Sequence, residues 1–87
     1  MDKKEYICKL AHFLISTKTT MNVENLAEHL NWNGFKTNYE TEYKGKRGTY
    51  TLIHSAYDYF ADKKMQNEAD EIALAFKKPN GEYAYIK

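Results

Sequence analysis

The chain has 87 residues, of which 43% are hydrophobic and 29% charged, with 13 lysines and arginines against 12 aspartates and glutamates. That length allows one small core and therefore one domain, 1–87, and the composition excludes a disordered chain. A formal charge of +1 excludes a dedicated, strongly basic binder of nucleic acid, so any DNA contact must come from charge segregated onto one face.

The first element runs from about Lys3 to Ser16. Tyr6 or Ile7, Leu10, Ala11 and Leu14 recur on one side of a helix, with Phe13 and Ile15 widening the stripe. STKTT then supplies turn and capping residues with little tendency to continue the helix. A second helix is bounded by clear punctuation. Asn22 is an N-cap whose side-chain oxygen accepts from the first turn, and Met21 and Leu26 form a hydrophobic staple. Gly34 suits the left-handed residue of a Schellman ending, with Phe35 packing back on Leu30. The helix therefore spans about Val23 to Trp32, with Val23, Leu26, Ala27 and Leu30 as its apolar stripe.

In KTNYETEYKGKRGTY, Thr37, Tyr39, Thr41 and Tyr43 alternate with Asn38, Glu40 and Glu42, as a short strand or wing would. Gly45 and Gly48 make its far end a loop. Thr49 then caps a third helix to about Asp62 or Lys63, with Ile53, Ala56, Tyr57 and Phe60 buried and Leu52 on the flank. Lys46 and Arg47 precede a helix N-terminus, where free N–H groups and the macrodipole favour an anion such as a phosphate.

LAEHLNWNGFKT, followed by Tyr43, the basic residues and TYTLI opening a helix, resembles the helix-turn-helix-like segment in the recombinase domain of large serine recombinases. The likeness is carried by Leu26, Ala27, Leu30, Asn31, Gly34, Phe35, Thr37, Tyr43 and Ile53, over about 30 of the 87 residues. It departs from the pattern at Tyr43, where a tryptophan is common, and at Glu40 and Glu42, which add negative charge. The catalytic serine domain of a recombinase has no counterpart here. The resemblance implies DNA contact and no strand cleavage.

Beyond a polar break at Asp62, Lys63 and Lys64, the residues Met65, Ala69, Ile72, Ala73 and Phe76 mark a fourth helix. Asn67 is its candidate cap, Glu68, Asp70 and Glu71 fill its first turn, and Lys77 and Lys78 its last. Pro79, Asn80 and Gly81 make a turn. EYAYIK then alternates as a strand, with Tyr83 and Tyr85 on one face and Ala84 and Ile86 on the other. The expected fold is mainly α: four short helices with a small two-stranded β ribbon pairing about Lys36 to Tyr43 with this last strand, in a helix-turn-helix or winged-helix-like outline.

Cys8 and His12 stand four apart on one helix face, but no second pair of ligands accompanies them, so no metal and no cofactor is expected. GKRGT lacks the spacing of a nucleotide-binding loop. Glu40 and Glu42 alternate like a solvated strand face, and no nucleophile elbow is present, so neither an enzyme nor a small-molecule substrate is indicated. The lone cysteine excludes an intramolecular disulfide and fits a reducing compartment. No apolar run approaches the ~20 residues of a membrane span. MDKKEY lacks the apolar stretch of a signal peptide, and a cytoplasmic protein with no membrane contact is expected.

Two functions remain open. In the first the protein is a small DNA-binding regulator: Lys36, Lys44, Lys46 and Arg47 supply the positive face that holds phosphates, and Thr49, Tyr50, Thr51 and His54 on the third helix face base edges or backbone. In the second it is an accessory module that meets a partner protein or its own copy through the eight tyrosines and Trp32. Each of those rings has an alternative use, as an amphipathic cover to the core.

Overall fold

The computed structural model describes residues 2–37, 39–43 and 47–85. Local capping chemistry sets the first two helices where the sequence places them. Helix α1 spans Lys3–Ser16 and buries Ile7, Ala11 and Leu14. It ends with Lys18 in the left-handed region at φ 57°. The Thr19 N–H reaches the Leu14 carbonyl at 2.9 Å and the Lys18 N–H reaches that of Ile15 at 3.0 Å, a Schellman ending on a non-glycine residue. Phe13, expected to widen the buried stripe, is instead 61% exposed. It stands two positions past Ala11, about 200° around the helix and so on the far side.

Helix α2 spans Val23–Trp32, and the Asn22 side chain accepts from the Glu24 N–H at 2.8 Å. Gly34 takes φ 81°. The Phe35 N–H bonds the Leu30 carbonyl and that of Gly34 bonds Asn31, both at 3.0 Å. Helix α3 spans Arg47–Asp62, starting two residues before the expected Thr49 cap. Lys64 at φ 61° closes it, with the Met65 N–H on the Phe60 carbonyl at 2.9 Å.

Helix α4 spans Gln66–Ala75. The Asn67 cap expected from the sequence is not used, because Asn67 lies inside the helix. The Gln66 amide instead donates to Asp70 at 2.7 Å and to the Tyr57 hydroxyl at 3.2 Å. Phe76 and Lys77 do not extend α4 either. They form strand β2, Phe76–Lys77, which pairs in parallel with β1, Met21–Asn22, in the register Met21 with Phe76 and Asn22 with Lys77.

The two-stranded ribbon is therefore present but made of other segments than expected. The tail beyond the turn at Gly81 does return to β2, through an antiparallel bridge of Lys77 with Tyr83 and a 2.9 Å bond from the Ala84 N–H to the Phe76 carbonyl. It pairs there and not with residues 36–43; Ile86 lies outside the described residues.

Helices α1, α3 and α4 pack against one another, while α2 attaches through α3 and β1. Buried residues from all four helices, with Tyr43, Phe76 and Ala84, form one hydrophobic cluster. Tyr43 and Tyr57 belong to that cluster and Tyr6, Tyr50, Tyr59 and Tyr85 pack partly buried against it, so six of the eight tyrosines cover the core. Among the described residues no helix is long and apolar enough to cross a membrane.

Candidate nucleic-acid interface

The connection from α2 to α3 is organised by side chains of the motif residues themselves. Asn31, near the end of α2, holds both backbone groups of Tyr43: its Oδ1 accepts from the Tyr43 N–H at 2.7 Å and its Nδ2 donates to the Tyr43 carbonyl at 2.8 Å. A side-chain amide thus replaces a β-strand partner. Tyr43, 5% exposed, is sunk in the core. Thr37 ties the loop from within. Its N–H donates to the Thr41 carbonyl and its own carbonyl accepts from Glu40, each at 2.9 Å, and its Oγ1 accepts from the N–H groups of Tyr39 and Thr41. Glu40 turns the chain at φ 62°. The described residues 36, 37 and 39–43 are accordingly a tight loop and not the strand or wing their alternation predicts, because local hydrogen bonds satisfy the backbone first. Phe35 closes the other end, its ring 5.1 Å from that of Tyr6.

The residues assigned to DNA from the sequence are not gathered on one surface. Lys36 and Thr51 are exposed. Thr49 is only 1% exposed and sits in the third position of α3. It stands four before Ile53, so it continues the buried stripe by one turn and offers no side chain to a groove. Tyr50 is half-buried, and burial followed by the nearby Glu24 carboxylate pushes its hydroxyl pKa up. His54 is half-buried, its ring 4.7 Å from Tyr85, which stacks on Tyr57 at 4.0 Å. The tail therefore covers the middle of α3. Lys44, Lys46 and the Arg47 side chain lie outside the described residues.

The fold brings in two cations that no pattern in the sequence connects with α3. A cleft of about 910 Å³ opens between the starts of α1 and α3, lined by Lys3 and Lys4 from α1, Tyr39 and Thr41 from the loop, and Gly48, Thr51 and Ser55 from α3. Lys3 Nζ donates to the Lys36 carbonyl at 2.6 Å and lies 5.8 Å from the centre of the Tyr43 ring, which fixes α1 against the loop. Asp2 and Glu42 line the same cleft, so the positive charge is diluted where it gathers.

Elsewhere the chemistry is structural. Among the described residues no three His, Cys, Asp or Glu side chains are placed to share a metal. His12 Nδ1 lies 3.1 Å from Glu71 across the α1–α4 seam. Burial raises the Cys8 thiol pKa, with Glu68 and then Glu71 adding to the effect, so the thiol is held protonated. Trp32 is 88% exposed and covers no part of the core.

The architecture is that of a small, mainly α-helical domain, four helices with a two-stranded ribbon. No family model, curated protein or solved structure matches the chain.

Proposed function

We propose that the chain is a small, non-catalytic, DNA-associated domain of the cytoplasm that rests the cleft between the starts of α1 and α3 on the phosphate backbone. The placement of Lys3 and Lys4 in one cleft with the exposed Thr51 supports this reading. Lys44, Lys46 and Arg47 stand in the sequence between Tyr43 and Gly48, and the proposal counts them as further phosphate contacts. Thr41, Thr51 and Ser55 supply hydroxyls of the kind that position a protein on phosphates without reading bases. The resemblance to the recombinase-domain segment points the same way. Its carrier residues Asn31, Gly34, Thr37 and Tyr43 all build the turn that presents the cleft, in a helix-turn-helix-like unit of α2, loop and α3.

Asp2 and Glu42 keep the affinity low, and the lysine–phosphate contacts make it fall with salt. A mobility-shift titration on a labelled duplex, over a range of salt, tests the proposal. The Lys3→Ala, Lys4→Ala and Lys46→Ala, Arg47→Ala double variants should each bind more weakly and flatten the salt slope by about 0.9 for each phosphate no longer neutralised. Far-UV circular dichroism verifies that both remain folded. Absence of any shift at low salt removes the reading.

A second reading, an accessory module for protein partners, is favoured by the 88% exposure of both Trp32 and Tyr39. Rings so exposed are candidate interface anchors. Size-exclusion chromatography with light scattering separates self-association from a monomer.

A further inference from the structure

The outer face of α2 has no element packed on it. Val23, Leu26, Ala27 and Leu30 point into the core, and Asn25, Glu28, His29 and Trp32 are exposed on the opposite side, with Glu24 exposed on the flank near Tyr50. Glu24, Glu28 and Trp32 follow one another at intervals of four, so two carboxylates lie one and two turns from the indole along the same side of the helix. Among the described residues neither Glu28 nor Trp32 has a hydrogen-bond, ion-pair or ring partner.

Several other rings are treated differently. Lys3 lies over Tyr43 at 5.8 Å, Lys4 and Lys63 over Tyr59 at 5.3 and 4.3 Å, and Lys77 over Tyr83 at 5.1 Å. Tryptophan offers a cation the best ring of the three aromatic types. The one tryptophan nevertheless has no cation of its own among the described residues, and the Glu28 carboxylate stands one helical turn from it.

We infer that the outer face of α2 docks an arginine- or lysine-bearing segment of a partner protein, with the cation over the Trp32 indole and its neighbours paired to Glu28 and Glu24. The carboxylates exclude nucleic acid from this face. The inference deepens the reading of the chain as an interaction module and does not depend on the DNA proposal, since the cleft uses other residues.

The probe is a fluorescein-labelled peptide of alternating arginine and alanine, followed by anisotropy on the full chain, with Trp32 emission as a second signal. Saturable binding accompanied by a change in indole emission is expected. Trp32→Ala should weaken it about tenfold, Trp32→Phe about threefold and Glu28→Gln about threefold, on the scale of single cation–π and ion-pair contacts. Both side chains are exposed, and unchanged helical circular dichroism verifies that the three variants fold. Equal binding by wild type and Trp32→Ala, no saturable binding, or equal binding of a peptide with serine in place of arginine overturns the inference. So does a concentration-dependent dimer that Trp32→Ala abolishes while the arginine peptide fails to bind, because the occupant is then a second copy. The two proposals fail separately: Lys3→Ala, Lys4→Ala should leave peptide binding intact, and Trp32→Ala should leave the DNA shift intact.

Discussion

Asn31 does for the α2–α3 connection what a neighbouring strand does in a sheet, and it does so with one side chain. Replacing it by alanine strips both partners from the Tyr43 backbone, which is held against the core by a ring 5% exposed. Leaving a part-buried N–H and carbonyl without partners costs on the order of 1 kcal/mol or more each, about 2–3 kcal/mol together once partial exposure is allowed for. Asn31→Asp is the sharper test. The carboxylate still accepts from the Tyr43 N–H but confronts the Tyr43 carbonyl with an oxygen in place of a donor. It should therefore lose about 1–2 kcal/mol, with Asn31→Ala at least as damaging. Urea denaturation followed by circular dichroism measures both; a Tyr43 ring that stays buried with no loss in Asn31→Ala would mean the clamp is incidental.

At the scale of elements, three helices end in a left-handed residue, and only one of the three is glycine. Gly34 meets no steric penalty at φ 81°, whereas Lys18 and Lys64 carry a Cβ at φ 57° and 61°. Lys64→Gly should therefore stabilise the domain by about 0.5–1 kcal/mol, the relief of left-handed strain less the greater freedom of glycine in the unfolded chain. Gly34→Ala should destabilise by about 1 kcal/mol; thermal melts of the pair should move in opposite directions. These endings also show what was readable in the chain. The bounds of α2 were legible because Asn22, Gly34 and Phe35 act on groups within a turn of themselves. The strand expected at residues 36–43 was misread because alternation records which residues could line a sheet, and not that Thr37 and Asn31 would satisfy the backbone first. The pairing of β1 with β2 involves two residues a side, too few for any period to mark. In the site, Thr49 is expected to face DNA and is instead buried, although its place four before Ile53 carries the signal for burial. The approach of Lys3 and Lys4 to α3 was not, since it depends on how α1 crosses the finished core.

For the molecule as a whole, Phe76 is the joint. It is fully buried, its backbone pairs with Met21, and its carbonyl takes the Ala84 N–H, so one residue links β1, the exit of α4 and the returning tail. Its side chain is also why Lys77 and Lys78 do not finish α4 as cations at a helix end: the chain turns extended at Phe76, with φ −118° and ψ 138°, and places that ring in the core. A domain of this size has a stability of about 4–13 kcal/mol, and removing a buried phenylalanine side chain costs about 3–5 kcal/mol. Phe76→Ala should therefore remove a large share of that stability and lower the urea midpoint steeply. Phe76→Leu, which keeps most of the volume, should cost about 1.5 kcal/mol or less and remain folded. Circular dichroism in urea supplies the midpoints, with the slope expected to stay constant for Phe76→Leu. Indole fluorescence is the wrong probe for this transition and the right control for the exposed face of α2. With Trp32 at 88% exposure its emission should be that of a solvated indole and should shift little while the helices melt. A large red shift coincident with unfolding would show that the ring is covered in solution, and with it the surface on which a cationic partner is to dock.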